Sequence, residues 1–302
     1  MPRRLFQVDA FTSAKFEGNP AGVVLDAEGL SERQMQAIAR ELNNSETAFI
    51  LPPRGDDHDV HVRFFTPSVE VPVCGHATIA SHFVRALEGE AGLGRTRQLT
   101  GAGVLDIDIE RRATGAIRIW MTQRPPEFML PLEAAERDAL LAAMGLSSHD
   151  LGAGPIQIVS TGHSKVIVPV ARRSVLDALR PDAPALTALS GRIGCNGYYF
   201  FTTTDADPEV TAHARMFAPA IGIPEDPVTG NGAGPLAAYL VAHGVAPAES
   251  SEDRRRFLIR QGEALGRPGM AEAEVLVGPD GQPARVRVGG DAVVAFRSTL
   301  EV

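Results

Sequence analysis

The stretch VPVCGHATIASHFV, residues 71–84, places a cysteine, a glycine and a histidine in a row before an apolar run. Ile79 and Phe83 lie at helical spacing, so Cys74 is predicted to stand at the start of a helix. Backbone N–H groups at a helix start are unpaired and carry a partial positive charge, which lowers the pKa of a thiol there. Cys74 could therefore act as a thiolate or as an acid/base. The structural alternative is a small buried side chain.

A second stretch repeats the order of the first. RFFTPSVEVPVCGHATIASHFV starts at Arg63, and RMFAPAIGIPEDPVTGNGAGPLAAYLV starts at Arg215. Both run from arginine and phenylalanine through a proline and a loop into small residues and an apolar helix. This order predicts that the chain arose by duplication. Anchored on the glycines, the pairs are Gly75 with Gly230, His76 with Asn231 and Cys74 with Thr229.

The two helix starts are expected to face each other across a domain interface. Backbone N–H groups of Gly75, His76, Gly230 and Asn231 would then bind an anion, most simply the carboxylate of a substrate. Glycine allows a ligand to approach the backbone closely. Small residues that serve only helix packing are the alternative.

Segments with strand and helix patterns alternate along the chain. LFQVDAF and VHVRFF are typical of strands, and SERQMQAIARELN has helical spacing with Ser31 as the N-cap and Gln34 three residues later. Thirty glycines and twenty-two prolines indicate many turns. We therefore predict two similar α+β units that meet near residues 118–130.

Composition narrows the classes of partner and compartment. A net charge of −8 over 302 residues makes nucleic acid and anionic membrane surfaces poor candidates. No stretch approaches the roughly 18 apolar residues of a membrane span. Cys74 and Cys195 lack metal-binding or redox spacing, and a reduced, cytoplasmic protein is the simplest interpretation. GNGAG is not a dinucleotide fingerprint, no P-loop is present, and HDVH near His58 is not a zinc-binding helix pattern, so these motifs predict neither a nucleotide cofactor nor a metal.

Five motifs together resemble the phenazine biosynthesis-like (PhzF-like) isomerases. They are VDAFTSAKFEGNPAGVVLDAEGLS, NNSETAFIL, FTPSVEVPVCGHATIA, EDPVTGNGAGPLAAYL and QGEALGRPG, in this order across nearly the whole chain. The resemblance implies the diaminopimelate epimerase-like α+β fold, with two pseudo-symmetric domains, each a curled, mostly antiparallel sheet around a central helix. We expect residues 1–120, completed by 288–302, to form one domain and residues 121–287 the other. The resemblance also implies a cofactor-free site in the cleft and a homodimer.

The resemblance assigns the acid/base role to Glu46, in the SE motif, and places His76 and Asp226 with it. An exposed loop carboxylate is the alternative for Glu46, and a turn residue is the alternative for Asp226. Asn19, in EGNPAG, could donate a hydrogen bond to the ligand or only form a turn. Asn231 replaces a serine of the family's best-understood member, which argues against the phenazine precursor as the substrate. The other predicted substrate-binding residues are Ser45, Gly75, Gly230 and Gly232.

Diaminopimelate epimerase is similar to this chain at both helix starts but uses a cysteine at each. Cys74 is therefore a candidate catalytic residue, whereas Thr229 occupies the second position. A threonine hydroxyl is a far weaker base than a thiolate at neutral pH. A symmetrical racemase with two thiols is not expected.

The sequence thus predicts an isomerase or epimerase that moves a proton on a small carboxylic acid. Glu46 would remove the proton from one carbon and return it at another, which requires a pKa raised by burial toward the working pH. A lyase that dehydrates a hydroxy acid in the same pocket is one alternative, because removal of an α-proton is half of both reactions. A binding protein that kept the pocket and lost catalysis is the other.

Overall fold

The computed structural model describes residues 2–205, 207–246, 249–251 and 253–302. The chain divides into two compact units. The first unit comprises Met1–Thr122 and Gly289–Val302, and the second comprises Gln123–Val288. Within the described residues, no helix combines the length and the apolar character needed to cross a membrane.

The first unit is a curled, mostly antiparallel sheet. Its strands pair in the order β19–β1–β2–β3–β4–β6–β7–β8, and β5 adds to β4. Only the β2–β3 and β4–β6 pairs among these are parallel. The strands are β1 (Arg3–Ala10), β2 (Asn19–Val24), β3 (Glu46–Leu51), β4 (Val60–Phe65), β5 (Glu70–Val71), β6 (Gly94–Thr100), β7 (Gly103–Arg111), β8 (Ile117–Thr122) and β19 (Ala292–Leu300).

Two helices belong to this unit, α1 (Glu32–Leu42) and α2 (Gly75–Leu87). Ser31 caps α1 and forms the predicted capping box with Gln34, which confirms that boundary. Helix α2 is buried along most of its length and packs against β1, β2, β3 and β8. It is the central helix around which the sheet curls, because its sequence is apolar or small on nearly every side.

The second unit repeats this order of strands. Its strands pair as β9–β10–β11–β12–β13–β16–β17, with β14 added to β13 and β15 to β16, and the β11–β12 and β13–β16 pairs are parallel. The strands are β9 (Glu127–Pro131), β10 (Gln157–Ser160), β11 (Ser164–Pro169), β12 (Tyr198–Thr202), β13 (Ala212–Ala218), β14 (Ile223–Asp226), β15 (Glu249–Ser251), β16 (Arg254–Gln261), β17 (Gly269–Val277) and β18 (Pro283–Gly290). The helices are α3 (Ala134–Met144), α4 (Arg173–Ala178), α5 (Ala183–Ile193) and α6 (Gly230–His243).

The arginines that open the two repeated stretches make matching contacts. Arg63 forms an ion pair with Glu70 at 2.6 Å, and its guanidinium lies 5.1 Å from the Phe65 ring centroid. Arg215 pairs with Glu225 at 2.8 Å and lies 5.0 Å from the ring centroid of Phe217. The repeat seen in the sequence is therefore also a repeat of contacts, as duplication predicts.

Candidate active site

Four predicted site residues come together where α2 begins. His76 Nε2 lies 3.4 Å from Glu46 Oε2 and 3.3 Å from Ser45 Oγ. On its other side, His76 Nδ1 lies 3.4 Å from Cys74 Sγ. The imidazole thus bridges the carboxyl group and the thiol, so a proton can pass among these groups over short distances.

Local structure explains how distant segments reach this point. Glu46 is the first residue of β3, which lies between β2 and β4 and is buried along Thr47–Ile50. Cys74 is the N-cap of α2 in extended conformation, as the sequence predicted, and its carbonyl accepts a hydrogen bond from Thr78 Oγ1 at 2.7 Å. The start of β3 and the start of α2 therefore bring Glu46 and Cys74 close together.

Burial determines the chemistry of Glu46. Only 14% of its side chain is exposed, so the alternative of an exposed loop carboxylate is wrong. Desolvation raises the pKa of Glu46, while hydrogen bonds from Ser45 and Cys74 act in the opposite direction. A raised pKa brings the pH at which the carboxyl group accepts and returns a proton closer to neutral.

The same three side chains could also hold a metal ion. Ligand atoms of Glu46, Cys74 and His76 lie within 4.8 Å of one another, and the described chain offers no other such cluster of three. Carboxylate, thiolate and imidazole are ligands that zinc accepts.

Asn19 lies in the same unit, fully buried as the first residue of β2 and opposite Ala10 of β1. Its side chain is held inside the unit by the strand. Its predicted role toward a ligand stays a prediction.

In the second unit, Asp226 and Thr229 meet at the start of α6. Thr229 is the N-cap, and its hydroxyl donates a hydrogen bond to Asp226 Oδ2. Gln261 holds both: its Nε2 donates to the Asp226 carbonyl at 2.7 Å, and its Oε1 accepts from the Thr229 N–H at 3.2 Å. Tyr199 donates to the same Oε1 at 3.0 Å. Asp226 is thus fixed by a buried polar network rather than standing in a free turn.

Sequence reasoning missed Gln261 and Lys165. Gln261 opens QGEALGRPG, a motif that the sequence analysis used only for the family resemblance. Lys165 is almost fully buried, and burial lowers its pKa to about 8, although Cys195 and Asp226 favour its charged form. Its Nζ lies 2.7 Å from His163 Nδ1. Nothing in the strand pattern around Lys165 distinguishes it from an exposed lysine.

The glycines at the start of α6 are required by packing. A Cβ atom on Gly232 would lie 2.4 Å from the ring of Tyr199, and one on Gly234 would lie 1.8 Å from Gln123 Oε1. Gln123 also donates to the Gly230 carbonyl at 3.3 Å and to Asn231 Oδ1 at 3.4 Å. The packing alternative considered from the sequence therefore holds for Gly232, whatever its role toward a ligand.

Comparison with known proteins gives consistent matches over the whole chain. Residues 8–298 match the model of a family described as phenazine biosynthesis-like protein. An uncharacterized isomerase of Clostridium acetobutylicum is 48% identical over 98% of this chain and 97% of its own. Trans-2,3-dihydro-3-hydroxyanthranilate isomerase of Pseudomonas chlororaphis is 37% identical over 97% of each chain. A crystal structure of a PhzF-family phenazine biosynthesis protein from Bacillus anthracis superposes with a TM-score of 0.87 at 29% identity, covering all of both chains.

Proposed function

The chain belongs to the phenazine biosynthesis-like protein family and is an isomerase, and from this premise we propose that it moves a proton on a small carboxylic acid by general acid/base catalysis without a bound cofactor. The family resemblance and the diaminopimelate epimerase-like fold expected from the sequence are confirmed. The observation that carries the proposal is the buried contact of Glu46 with His76, 3.4 Å apart, at the start of a central helix.

Glu46 is the proposed base and then the acid. Its raised pKa places proton exchange closer to neutral pH than for a free carboxyl group. His76 orients the carboxyl group or relays the proton, because it contacts Glu46 and Ser45 through one nitrogen and Cys74 through the other. Cys74 donates a hydrogen bond to Glu46, which supports the ionised form of the base.

The proposed substrate carboxylate binds at the first turn of α2. Gly75 and His76 are the first two residues of this helix, and the helix dipole favours an anion at this end. Binding of the same carboxylate by Gly230 and Asn231 stays a prediction from the sequence repeat. So does the role of Asp226 toward the substrate.

The test begins with a ligand. We would screen small acids by thermal shift and include trans-2,3-dihydro-3-hydroxyanthranilate, the compound in the name of one relative. A ligand at 100 times its dissociation constant raises the free energy of unfolding by about 2.7 kcal/mol. The hit is then incubated in deuterium oxide and followed by NMR and mass spectrometry.

Glu46→Gln should lower turnover of that hit by a factor of about 10² to 10⁴, the usual contribution of general acid/base catalysis. Glu41→Gln, at an exposed position of α1, is the matched control and should retain full activity. Unchanged turnover in Glu46→Gln would overturn the acid/base assignment. A product lighter by one water would identify the alternative lyase.

We also propose that the protein is cytoplasmic and forms a homodimer. Cys74 and Cys195 are free thiols, which suits a reducing compartment. The homodimer rests on the family resemblance alone. Light scattering on the purified protein tests it: a dimer should have twice the molar mass of the 32.1 kDa chain, and the molar mass of a single chain would contradict the proposal.

A further inference from the structure

A cavity of about 580 Å³ lies in the first unit, away from the start of α2. Its lining includes the apolar residues Leu25, Ile50 and Val60, together with Arg85 from the last turns of α2. Arg85 follows Cys74 by eleven residues, which corresponds to about 16 Å along a helix axis. The cavity is therefore separate from the candidate active site.

Arg85 is a buried cation without a carboxylate partner. Only 8% of the residue is exposed, and it forms no ion pair within the described residues. Its Nη1 lies 3.3 Å from His82 Nδ1. Burial lowers the pKa of Arg85, whereas Glu90 and Asp59 favour its charge at longer range. A buried guanidinium normally has an anion beside it.

His82 cannot supply that anion. Its Nε2 lies 2.6 Å from Gln98 Oε1 and donates to it, so Nδ1 keeps the lone pair that accepts from Arg85. Burial and the charge of Arg85 lower the pKa of His82 to about 3. The histidine is thus a neutral acceptor that orients the guanidinium without supplying a negative charge.

A second guanidinium, that of Arg3, lines the same cavity. Its Nη1 donates to two backbone carbonyl groups, those of Asp26 and Glu28. Its Nε is buried and has no hydrogen-bond partner. In the part of the chain that the structure describes, Arg3 also forms no ion pair with a carboxylate.

Three of the four acidic residues that line the cavity form ion pairs. Asp26 binds Arg4 at 2.7 Å, and Glu90 binds the same guanidinium at 2.5 Å. Asp59 lies 3.5 Å from Arg97. These three carboxylates thus have guanidinium partners outside the cavity lining, although Asp26 and Glu90 share one of them.

The guanidinium groups that line the cavity are not the ones that these carboxylates bind. Arg3 and Arg85 have no carboxylate partner, and among the lining residues only Glu28 is an acid that forms no ion pair within the described chain. A ligand carboxylate could bind guanidinium groups through two parallel hydrogen bonds, the strongest arrangement for this pair. The apolar side chains beside them would be covered by the rest of the same ligand.

We propose that this cavity is a second binding site, which takes a small organic acid. The carboxylate binds Arg85 and Arg3, and the apolar part of the molecule packs on Leu25, Ile50 and Val60.

Isothermal titration calorimetry at low ionic strength tests the site with benzoate and with inorganic phosphate as probes. Wild type should bind benzoate, and Arg85→Gln should weaken this binding at least tenfold, because the amide can still donate to His82 but carries no charge. Arg33→Gln removes an exposed arginine of α1 and should leave the affinity unchanged. Arg3→Gln provides a second variant at a partly exposed position and should weaken binding severalfold.

The candidate active site could also take benzoate, and a Glu46→Gln, His76→Ala double variant separates the two sites. The proposal expects benzoate binding that persists in this double variant and is lost in Arg85→Gln. Binding that persists in Arg85→Gln and is lost in the double variant would assign benzoate to the active site and overturn the proposal. Preference for phosphate over benzoate would overturn the assignment to an organic acid. None of these binding measurements requires turnover, so they test the second site even if the proposed reaction is wrong.

Discussion

Glu46 shows how one buried carboxyl group acquires a chemical role. Ser45, His76 and Cys74 surround this carboxyl group with polar side chains, yet burial is the largest influence on its pKa. An exposed glutamate would be ionised at neutral pH and a poor acid. Burial brings proton uptake and release by Glu46 closer to neutral pH.

The pH dependence of catalysis should follow from this shift. If Glu46 is the base, it must be ionised in the free enzyme, so kcat/KM should rise with pH and level off above the raised pKa. The half-maximal point should lie above 4.5, the ordinary value for a glutamate. A pH profile with the identified substrate measures it, and a midpoint at or below 4.5 would contradict the assignment.

Stability should depend on pH in the opposite sense. The folded state binds the Glu46 proton more tightly than the unfolded state, because the folded pKa is raised above 4.5. This contribution is fully present below that value and is lost as pH rises through the raised pKa. Denaturant unfolding of wild type and Glu46→Gln over this range should show the wild-type advantage shrinking with pH. A difference that stays constant with pH would show that Glu46 does not titrate abnormally.

At the residue scale, the sequence predicted which residues form the candidate site better than it predicted their burial and their hydrogen-bond partners. Glu46, Cys74 and His76 were predicted as a group through motifs, and their contacts agree with that grouping. The burial of Glu46 could not be predicted from the sequence, because it depends on the packing of β2 and β4 beside β3. Gln261 was missed because its partner Asp226 lies 35 residues earlier in the chain, and no local pattern links the two.

At the scale of elements, α2 and α6 occupy equivalent places but begin differently. Helix α2 begins with Cys74, next to ionisable side chains, whereas α6 begins with Thr229, whose hydroxyl binds Asp226. Periodicity and the glycine turns predicted both helices. The tight packing under α6 was not predicted, since Tyr199 in β12 and Gln123 just after β8 are distant from α6 along the chain.

Gly232→Ala should destabilise the protein by about 1–3 kcal/mol, as overpacking of a close-packed interior usually does. The new methyl group would lie 2.4 Å from the Tyr199 ring, which is itself buried between strands. Denaturant unfolding measures the change.

Gly191→Ala is the matched control. Gly191 lies on the exposed side of helix α5, where an added Cβ atom would have no neighbouring atom within 4 Å. It should stabilise the protein by about 0.4–1 kcal/mol, because alanine loses less backbone entropy than glycine on folding. Equal effects of the two substitutions would show that the contact with Tyr199 does not limit the site.

At the scale of the whole molecule, the sheet of the first unit is built from strands at both ends of the described chain. Strand β19 pairs with β1 from Arg3 opposite Leu300 to Ala10 opposite Ala292. The motifs predicted the two-fold repeat and the fold, because duplication and family resemblance both leave marks along the sequence. Strand order within each sheet and the buried polar networks depend on pairing between remote segments, which one sequence does not reveal.

Deletion of residues 292–302 should therefore prevent the first unit from folding. Strand β1 would lose its partner on one side and expose unpaired backbone groups at a new edge. Circular dichroism and limited proteolysis should show loss of protected structure between residues 2 and 122. Deletion of Glu301 and Val302 alone removes exposed residues beyond β19 and should change neither measurement.

The unlike helix starts also bear on stereochemistry. Glu46, His76 and Cys74 form one compact cluster in the first unit, whereas the Thr229 hydroxyl of the second unit donates to Asp226. A lone carboxyl group that takes a hydrogen from one carbon and delivers it to another must do both on the same face of the molecule. The shift would then be suprafacial, with part of the migrating hydrogen retained, and the configuration of the product would be set by the face that the enzyme binds.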